Sequence, residues 1–270
     1  MTKLVACQMV SCPDPEQNLR QVELMLEKQV PGSVVVLPEC FACFGDSDKA
    51  LLQKSEPLRD GPIQKRLSEL AHRFKLWIFA GTVPIKSSDP NKFTASCLVF
   101  NDLGECVGEY QKIHLFDVQV QDSTKHYQES RHTLAGDKIL VVDSPVGRIG
   151  VAVCYDIRFP GLFQAMGQVD ALVLPSAFTE TTGRAHWHTL LQARAVENQC
   201  YVVAANQGGK HQNGRETFGH SCIISPWGEI IDELTKNQGT VCADFDIDLL
   251  KRIRTNMPIH QHNQFRSSLV

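Results

Sequence analysis

The chain alternates short apolar runs with stretches of helical spacing. Residues 3–10 (KLVACQMV) form an apolar strand. Pro13 and Pro15 then introduce Leu19, Val22, Leu26 and Val30, spaced for one buried helical face. The next strand, VVVL at 34–37, ends in Pro38, Glu39 and Cys40. A polar loop leads through Gly61 and Pro62 into a second helix, followed by the strand LWIFAGTVPI. FTASCLVF and ECVGEYQKIHLF flank the turn-like Asn101, Asp102, Leu103 and Gly104 as a hairpin, with Lys112 near its exit. The polar connection from Asp117 to Asp137, which carries Glu129, should lie on the surface or over a cleft.

In the second half, Val146, Ile149, Val151, Ala152 and Val153 read as a buried strand that Cys154 ends, and Pro160 suits the first turn of a helix. VDALVLPSAF is a further strand. Trp187, Leu190, Leu191, Arg194 and Ala195 then recur at helical spacing, and CYVVAANQ is strand again. FGHSCIIS, the turn PWG, EIIDEL and TVCADF look antiparallel, and a short helix begins near Asp246. Helices separating strands in both halves predict two β layers covered by helices on their outer faces, with a doubly wound single sheet as the alternative.

At 270 residues and 43% hydrophobic content, residues 1–270 can form a single large α/β domain, and no linker argues for two. A formal charge of -3 and a pI near 6.4 give no general attraction to nucleic acid or an anionic membrane, so a small-molecule partner is expected. The N-terminal stretch lacks a long apolar segment, which predicts a cytoplasmic protein. Ten cysteines are too sparse for a disulfide scaffold. Cys7, Cys97, Cys106, Cys200, Cys222 and Cys242 fall in strand-like runs and read as reduced core thiols. Cys40 and Cys43 form a C-x-x-C without a second pair at zinc spacing.

Cys154 stands where a strand gives way to a helix, a corner at which backbone N–H groups favour a thiolate and a neighbouring oxyanion. A catalytic thiol also needs a base or cation beside it, because its ordinary pKa leaves little thiolate at neutral pH. Glu39 and Lys112 also stand at strand ends or exits. Glu39 can take the thiol proton and return one to a leaving amine, and Lys112 with the Tyr155 backbone N–H can stabilise a tetrahedral oxyanion. Taken singly, each has a plainer reading: core thiol, loop cap, surface lysine. His186, His188, His260 and His262 show no acidic or cysteine partner motif nearby and read as structural.

The motifs LPECF, QKIHLFD, QES at 128–130, GVAVCYDIRFP, PSAF, AHWHTLLQARAVENQCYVVAANQ, GHS and PWG resemble the nitrilase superfamily of carbon–nitrogen hydrolases over nearly the whole chain. Within it the likeness is to the branch of deaminated-glutathione amidase and ω-amidase. The resemblance implies a nitrilase-type αββα four-layer sandwich, a Glu39–Lys112–Cys154 triad, no metal and no organic cofactor. It implies a thioester acyl-enzyme resolved by water, Glu129 as a second glutamate orienting Lys112 or the water, and a homodimer or higher homo-oligomer. Its expected substrate is deaminated glutathione, an α-keto acid amide. The alternatives are α-ketoglutaramate or the substrate of another carbon–nitrogen hydrolase such as an N-carbamoyl amidase. Arg158 is the first candidate for a substrate carboxylate, its other reading being an ion pair with Asp156 or a glutamate. Phe41, Phe116, Thr179 and Thr182 are further pocket candidates. The superfamily's pattern commonly has asparagine where this chain has Ala95.

Overall fold

The structure, a computed structural model, describes residues 2–44, 47–121 and 124–265. Strands β1 (Lys3–Gln8), β2 (Val34–Val36), β3 (Trp77–Lys86), β4 (Phe93–Phe100) and β5 (Cys106–Gln111) make up the first half, with the short ribbon β6 (Asp117–Gln119) and β7 (His126–Gln128) after them. The second half contains β8 (Leu140–Ser144), β9 (Gly147–Val151), β10 (Ala171–Ser176), β11 (Tyr201–Asn206), β12 (Gly208–Lys210), β13 (Glu216–Phe218), β14 (Cys222–Ile224), β15 (Ile230–Glu233) and β16 (Gly239–Asp244). Helices α1 (Pro15–Leu26), α2 (Asp48–Gln53), α3 (Pro62–Phe74), α4 (Pro160–Ala165), α5 (Glu180–Asn198), α6 (Ile247–Asn256) and α7 (Ile259–His262) complete the elements.

Among the described residues there are two six-stranded sheets, ordered β16-β1-β2-β3-β4-β5 and β15-β14-β11-β10-β9-β8. Each is parallel at its centre (β1-β2-β3; β9-β10-β11) and antiparallel towards both edges. The expected alternative of one doubly wound sheet is therefore ruled out. Strand alternation explains the stacking. Leu4, Ala6, Val34, Val36, Phe79, Cys97 and Val99 point into a cluster shared with the second sheet. Their neighbours Val5, Cys7, Val35, Ile78 and Leu98 face the other way, onto Leu19, Val22 and Leu26 of α1 and Leu67 and Leu70 of α3. Trp187, Leu191 and Ala195 of α5 bury against the second sheet. The order helix, sheet, sheet, helix matches the four-layer expectation.

Local chemistry sets the element ends. Asp14 caps α1 through Glu16 N–H, Pro15 and Pro62 open their helices, and Asp246 caps α6 as its position in the sequence suggested. Three expectations need correction. Helix α1 stops at Leu26, so Val30 lies beyond it and is exposed. The polar loop before Gly61 holds the short helix α2, capped by Ser47, which is too brief for periodicity to reveal. Cys242 is exposed on the edge strand β16, and Cys106 is half-buried, so neither is a core thiol. Residues 122 and 123 of the polar 117–137 connection lie outside the described residues. No helix among the described residues is long and apolar enough to cross a membrane.

All ten cysteines are unbridged. Burial pushes the Cys7 thiol up to about 12 and those of Cys97, Cys200 and Cys222 higher still, from an ordinary 9.0. These thiols ionise first in the unfolded chain, so their contribution to stability is complete below pH 9 and declines as pH rises towards the folded values. Urea unfolding between pH 8 and about pH 11 should show stability beginning to fall near pH 9. The slope should approach roughly 1.4 kcal/mol per pH unit for each thiol. A profile flat through this range would contradict the buried-thiol assignment.

Candidate active site

The carboxyl ends of the parallel strands of both sheets meet at a cavity of about 740 Å³. Glu39 follows β2, Lys112 follows the hairpin strand β5, and Cys154 follows β9, while Glu129 begins a single 3₁₀ turn after β7. All four line the cavity. The polar connection that carries Glu129 also supplies His126, Tyr127 and His132 to the wall, as its placement over a cleft requires.

Lys112 is 2% exposed, and its ammonium is held between two carboxylates. Nζ donates to Glu39 Oε1 at 2.8 Å and to Glu129 Oε2 and Oε1 at 2.8 and 3.1 Å. Its backbone is pinned as well: the N–H donates to Ala95 O at 3.0 Å, and Gly136 N–H donates to Lys112 O at 2.9 Å. Burial alone would depress the lysine's pKa, but Glu129 and then Glu39 outweigh it and hold the pKa well above the ordinary value. Lys112 is therefore a fixed cation. Glu129 is itself oriented by Phe116 N–H, which donates to Oε2 at 2.7 Å.

Glu39 is placed by contacts from both sheets. Gln207 Nε2, beyond β11, donates to Glu39 O at 3.0 Å and to Ser11 Oγ at 2.9 Å. Cys40 takes a positive φ of 55°, and its N–H donates to Thr82 Oγ1 at 2.9 Å. Gly81 packs so closely on Pro38 that an added Cβ would meet Pro38 O at 2.0 Å. Only glycine leaves room for the chain to pass there.

Cys154 has φ 48° and opens a 3₁₀ turn through Arg158, so the nucleophile candidate sits on a strained corner after the strand. Strand β9 itself ends at Val151, short of the apolar run that continues through Val153. Asp156, fully buried, holds that corner: it accepts from Val153 N–H at 2.9 Å, Tyr110 Oη at 2.8 Å and His114 N–H at 3.0 Å, and it contacts His114 Nδ1 at 2.7 Å. This carboxylate ties the Cys154 turn to the segment bearing Lys112. Arg194 of α5 supports the same turn from behind, donating Nε and Nη2 to Ile157 O at 2.9 and 2.7 Å.

Cys154 is 8% exposed. Burial and the Glu39 carboxylate raise its pKa well above the ordinary value, against Lys112 and the Ala177 backbone, which favour the thiolate. At rest it is a thiol. Two carboxylates and one ammonium leave the surrounding cage with one net negative charge, so losing the thiol proton to solvent would bury a second. Passing it to Glu39 leaves the net charge unchanged. The arrangement can thus move a proton internally and present a sulfur nucleophile, with Tyr155 N–H and the Lys112 ammonium available to an oxyanion.

Of the other expected site residues, Phe116, Arg158, Thr179 and Thr182 line the cavity, as does Ala95. Arg158 does not pair with Asp156, whose oxygens are taken; its Nη2 lies 3.3 Å from His186 Nδ1 and its guanidinium flanks the rings of Tyr155 and Phe178. Thr179 caps α5 and shares a 2.9 Å hydrogen bond with Thr182. Phe41 is a correction: it is fully buried in the cluster beneath α1 and α3 and does not reach the cavity, since the turn at Cys40 sends it into the core. Sequence reasoning gave Asp156 no part beyond a pairing with Arg158 and passed over Phe44 and Arg215. Asp156 could have been found as the one acid inside the CYDIRFP motif; the other two depend on how distant loops close. His188 also has an acidic partner that the sequence did not suggest, because Glu233 Oε1 lies 2.6 Å from His188 Nε2 and 2.7 Å from His220 Nδ1.

Comparison with known proteins identifies the family and the fold. Residues 3–255 match the carbon-nitrogen hydrolase family. A deaminated glutathione amidase of Yersinia enterocolitica is 40% identical over 97% of this chain and 93% of its own length. The human deaminated glutathione amidase is 37% identical over 97% and 82%. The crystal structure of Saccharomyces cerevisiae Nit3, a member of branch 10 of the nitrilase superfamily, superposes with a TM-score of 0.87 at 30% identity, covering 98% of this chain and 97% of that one. The match over residues 3–255 and the near full-length likeness to these relatives place this chain in the carbon–nitrogen hydrolase family.

Proposed function

We propose that this protein is a cysteine-dependent amidase that hydrolyses the amide of deaminated glutathione through a thioester acyl-enzyme. The observation that carries the chemistry is the Lys112 ammonium clamped between Glu39 and Glu129 beside Cys154. The substrate follows from the full-length likeness to deaminated glutathione amidases and from a cavity that carries Arg158.

In this reading Glu39 takes the thiol proton as sulfur attacks the amide carbonyl. Tyr155 N–H and Lys112 Nζ hold the resulting oxyanion. Glu39 returns the proton to nitrogen as the C–N bond breaks, because an amide anion is too poor a leaving group to depart unprotonated. The amine leaves and the acyl group stays on Cys154 as a thioester. Water then attacks that carbonyl, giving its proton to Glu39, and the sulfur departs and recovers a proton. Glu129 keeps Lys112 in place and charged throughout. Arg158 binds a carboxylate on the acyl portion, with Phe116, Thr179 and Thr182 shaping the wall around it.

Purified protein offered deaminated glutathione should release free cysteinylglycine, and Cys154→Ala should release none while unfolding at nearly the wild-type temperature. Cys154→Ser should retain little activity, since a hydroxyl is far harder to ionise than a thiol. Turnover by Cys154→Ala would overturn the mechanism. Preference for α-ketoglutaramate, read as ammonia, would replace the substrate with that of an ω-amidase.

Asp156 acts as a positioning residue, so Asp156→Asn should lower kcat about tenfold or more while KM changes little, measured well below the unfolding temperature. Loss of stability with unchanged kcat would reduce Asp156 to a purely structural role.

A further inference from the structure

Arg215 has no part in the chemistry assigned to Glu39, Lys112 and Cys154, yet it lines the same cavity. It stands just before β13, on the turn that joins it to β12, with its guanidinium 4.8 Å from the ring centre of Phe44 and 5.3 Å from that of Tyr127. It makes no ion pair among the described residues and is only half-buried. A guanidinium held over two rings is already placed, so it loses little freedom when it meets a carboxylate.

A continuous wall of rings joins Arg215 to Arg158. Tyr127 meets Phe116 at 5.2 Å between ring centres, Phe116 meets Tyr155 at 5.1 Å, and the Arg158 guanidinium lies 5.8 Å from the Tyr155 ring. Cys154 immediately precedes Tyr155, so the nucleophile belongs to the Arg158 end. The two arginines thus mark opposite ends of one aromatic wall, and neither has an acidic partner among the described residues. In the proposed mechanism the acyl group remains bonded to Cys154 with its carboxylate on Arg158, which leaves the far end of the wall to the fragment that departs.

We infer that Arg215 binds a carboxylate on the amine side of the scissile bond, so that the enzyme selects amides whose leaving amine is itself an anion. This rests on the amidase reading above and extends it. The site would favour a peptide-like leaving group with a free carboxyl terminus over ammonia or a neutral amine. Arg158 and Arg215 together would hold a substrate that is anionic at both ends, stretched along the wall with its amide over Cys154.

The test pairs a change in the protein with a change in the substrate. We would measure kcat/KM for deaminated glutathione and for its C-terminal carboxamide, with wild type, Arg215→Gln and Arg215→Lys. Wild type should prefer the acid by about tenfold or more, a preference that Arg215→Gln abolishes and Arg215→Lys partly restores. The same preference in Arg215→Gln as in wild type would overturn the assignment. Equal cleavage of the two compounds by wild type would also overturn it while leaving the amidase reading intact. Cleavage of neither compound would bring down both.

Discussion

The structure depends on one buried ion cluster. The demands of an ammonium as deeply buried as that of Lys112, its charge first, must be met by groups already in place. Glu39 and Glu129 meet them at 2.8 to 3.1 Å. Removing either carboxylate would take hydrogen-bond acceptors away from a buried ammonium. Keeping both leaves an excess of negative charge that disfavours a free thiolate. The cluster therefore stores the nucleophile as a thiol and restricts its proton to an internal move. Reactivity and charge balance are the same arrangement seen from two sides.

The fold supplies the precision this cluster needs. Glu39, Lys112 and Glu129 come from three separate connections of the first half, and Cys154 from the second sheet, so their spacing depends on how the two sheets meet. Apolar alternation packs the sheets face to face, and a few buried polar groups then fix the register at the site. Gln207 links Glu39 to the second sheet, and Asp156 links the Cys154 turn to Tyr110 and His114 beside Lys112. Arg194 holds the outer side of that turn. These hydrogen bonds act at long sequence separation, where an unpaired group would cost about 1–3 kcal/mol. They make the sheet interface intolerant of slippage.

Much of this was legible in the sequence. The strands of VVVL, FTASCLVF and VDALVLPSAF, the hairpin around Asn101, and the helices opened by Pro15, Pro62 and Asp246 followed from periodicity and caps. Glu39, Lys112 and Cys154 stood out because each reactive side chain ends or leaves an apolar run. What stayed hidden was decided by contacts between distant segments. Phe41 adjoins Glu39 in sequence yet is buried in the core, because Cys40 turns the chain at positive φ. Val30 continues the helical spacing of α1, but the helix has already ended. Asp156 read as a candidate ion partner for Arg158, and only the packing of the two sheets showed it engaged with Tyr110, Val153 and His114 instead. Arg215 entered the cavity through loop closure, about which local periodicity carries no information.

The central claim is that Glu39 arms Cys154 by accepting its proton inside the cage. The most direct measurement is the rate at which iodoacetamide, a small neutral amide, alkylates Cys154 at neutral pH in wild type and in Glu39→Gln, read by peptide mass spectrometry. The account predicts that Cys154 reacts ahead of the nine other cysteines and that Glu39→Gln slows it about a hundredfold. Equal rates in the two proteins would contradict it.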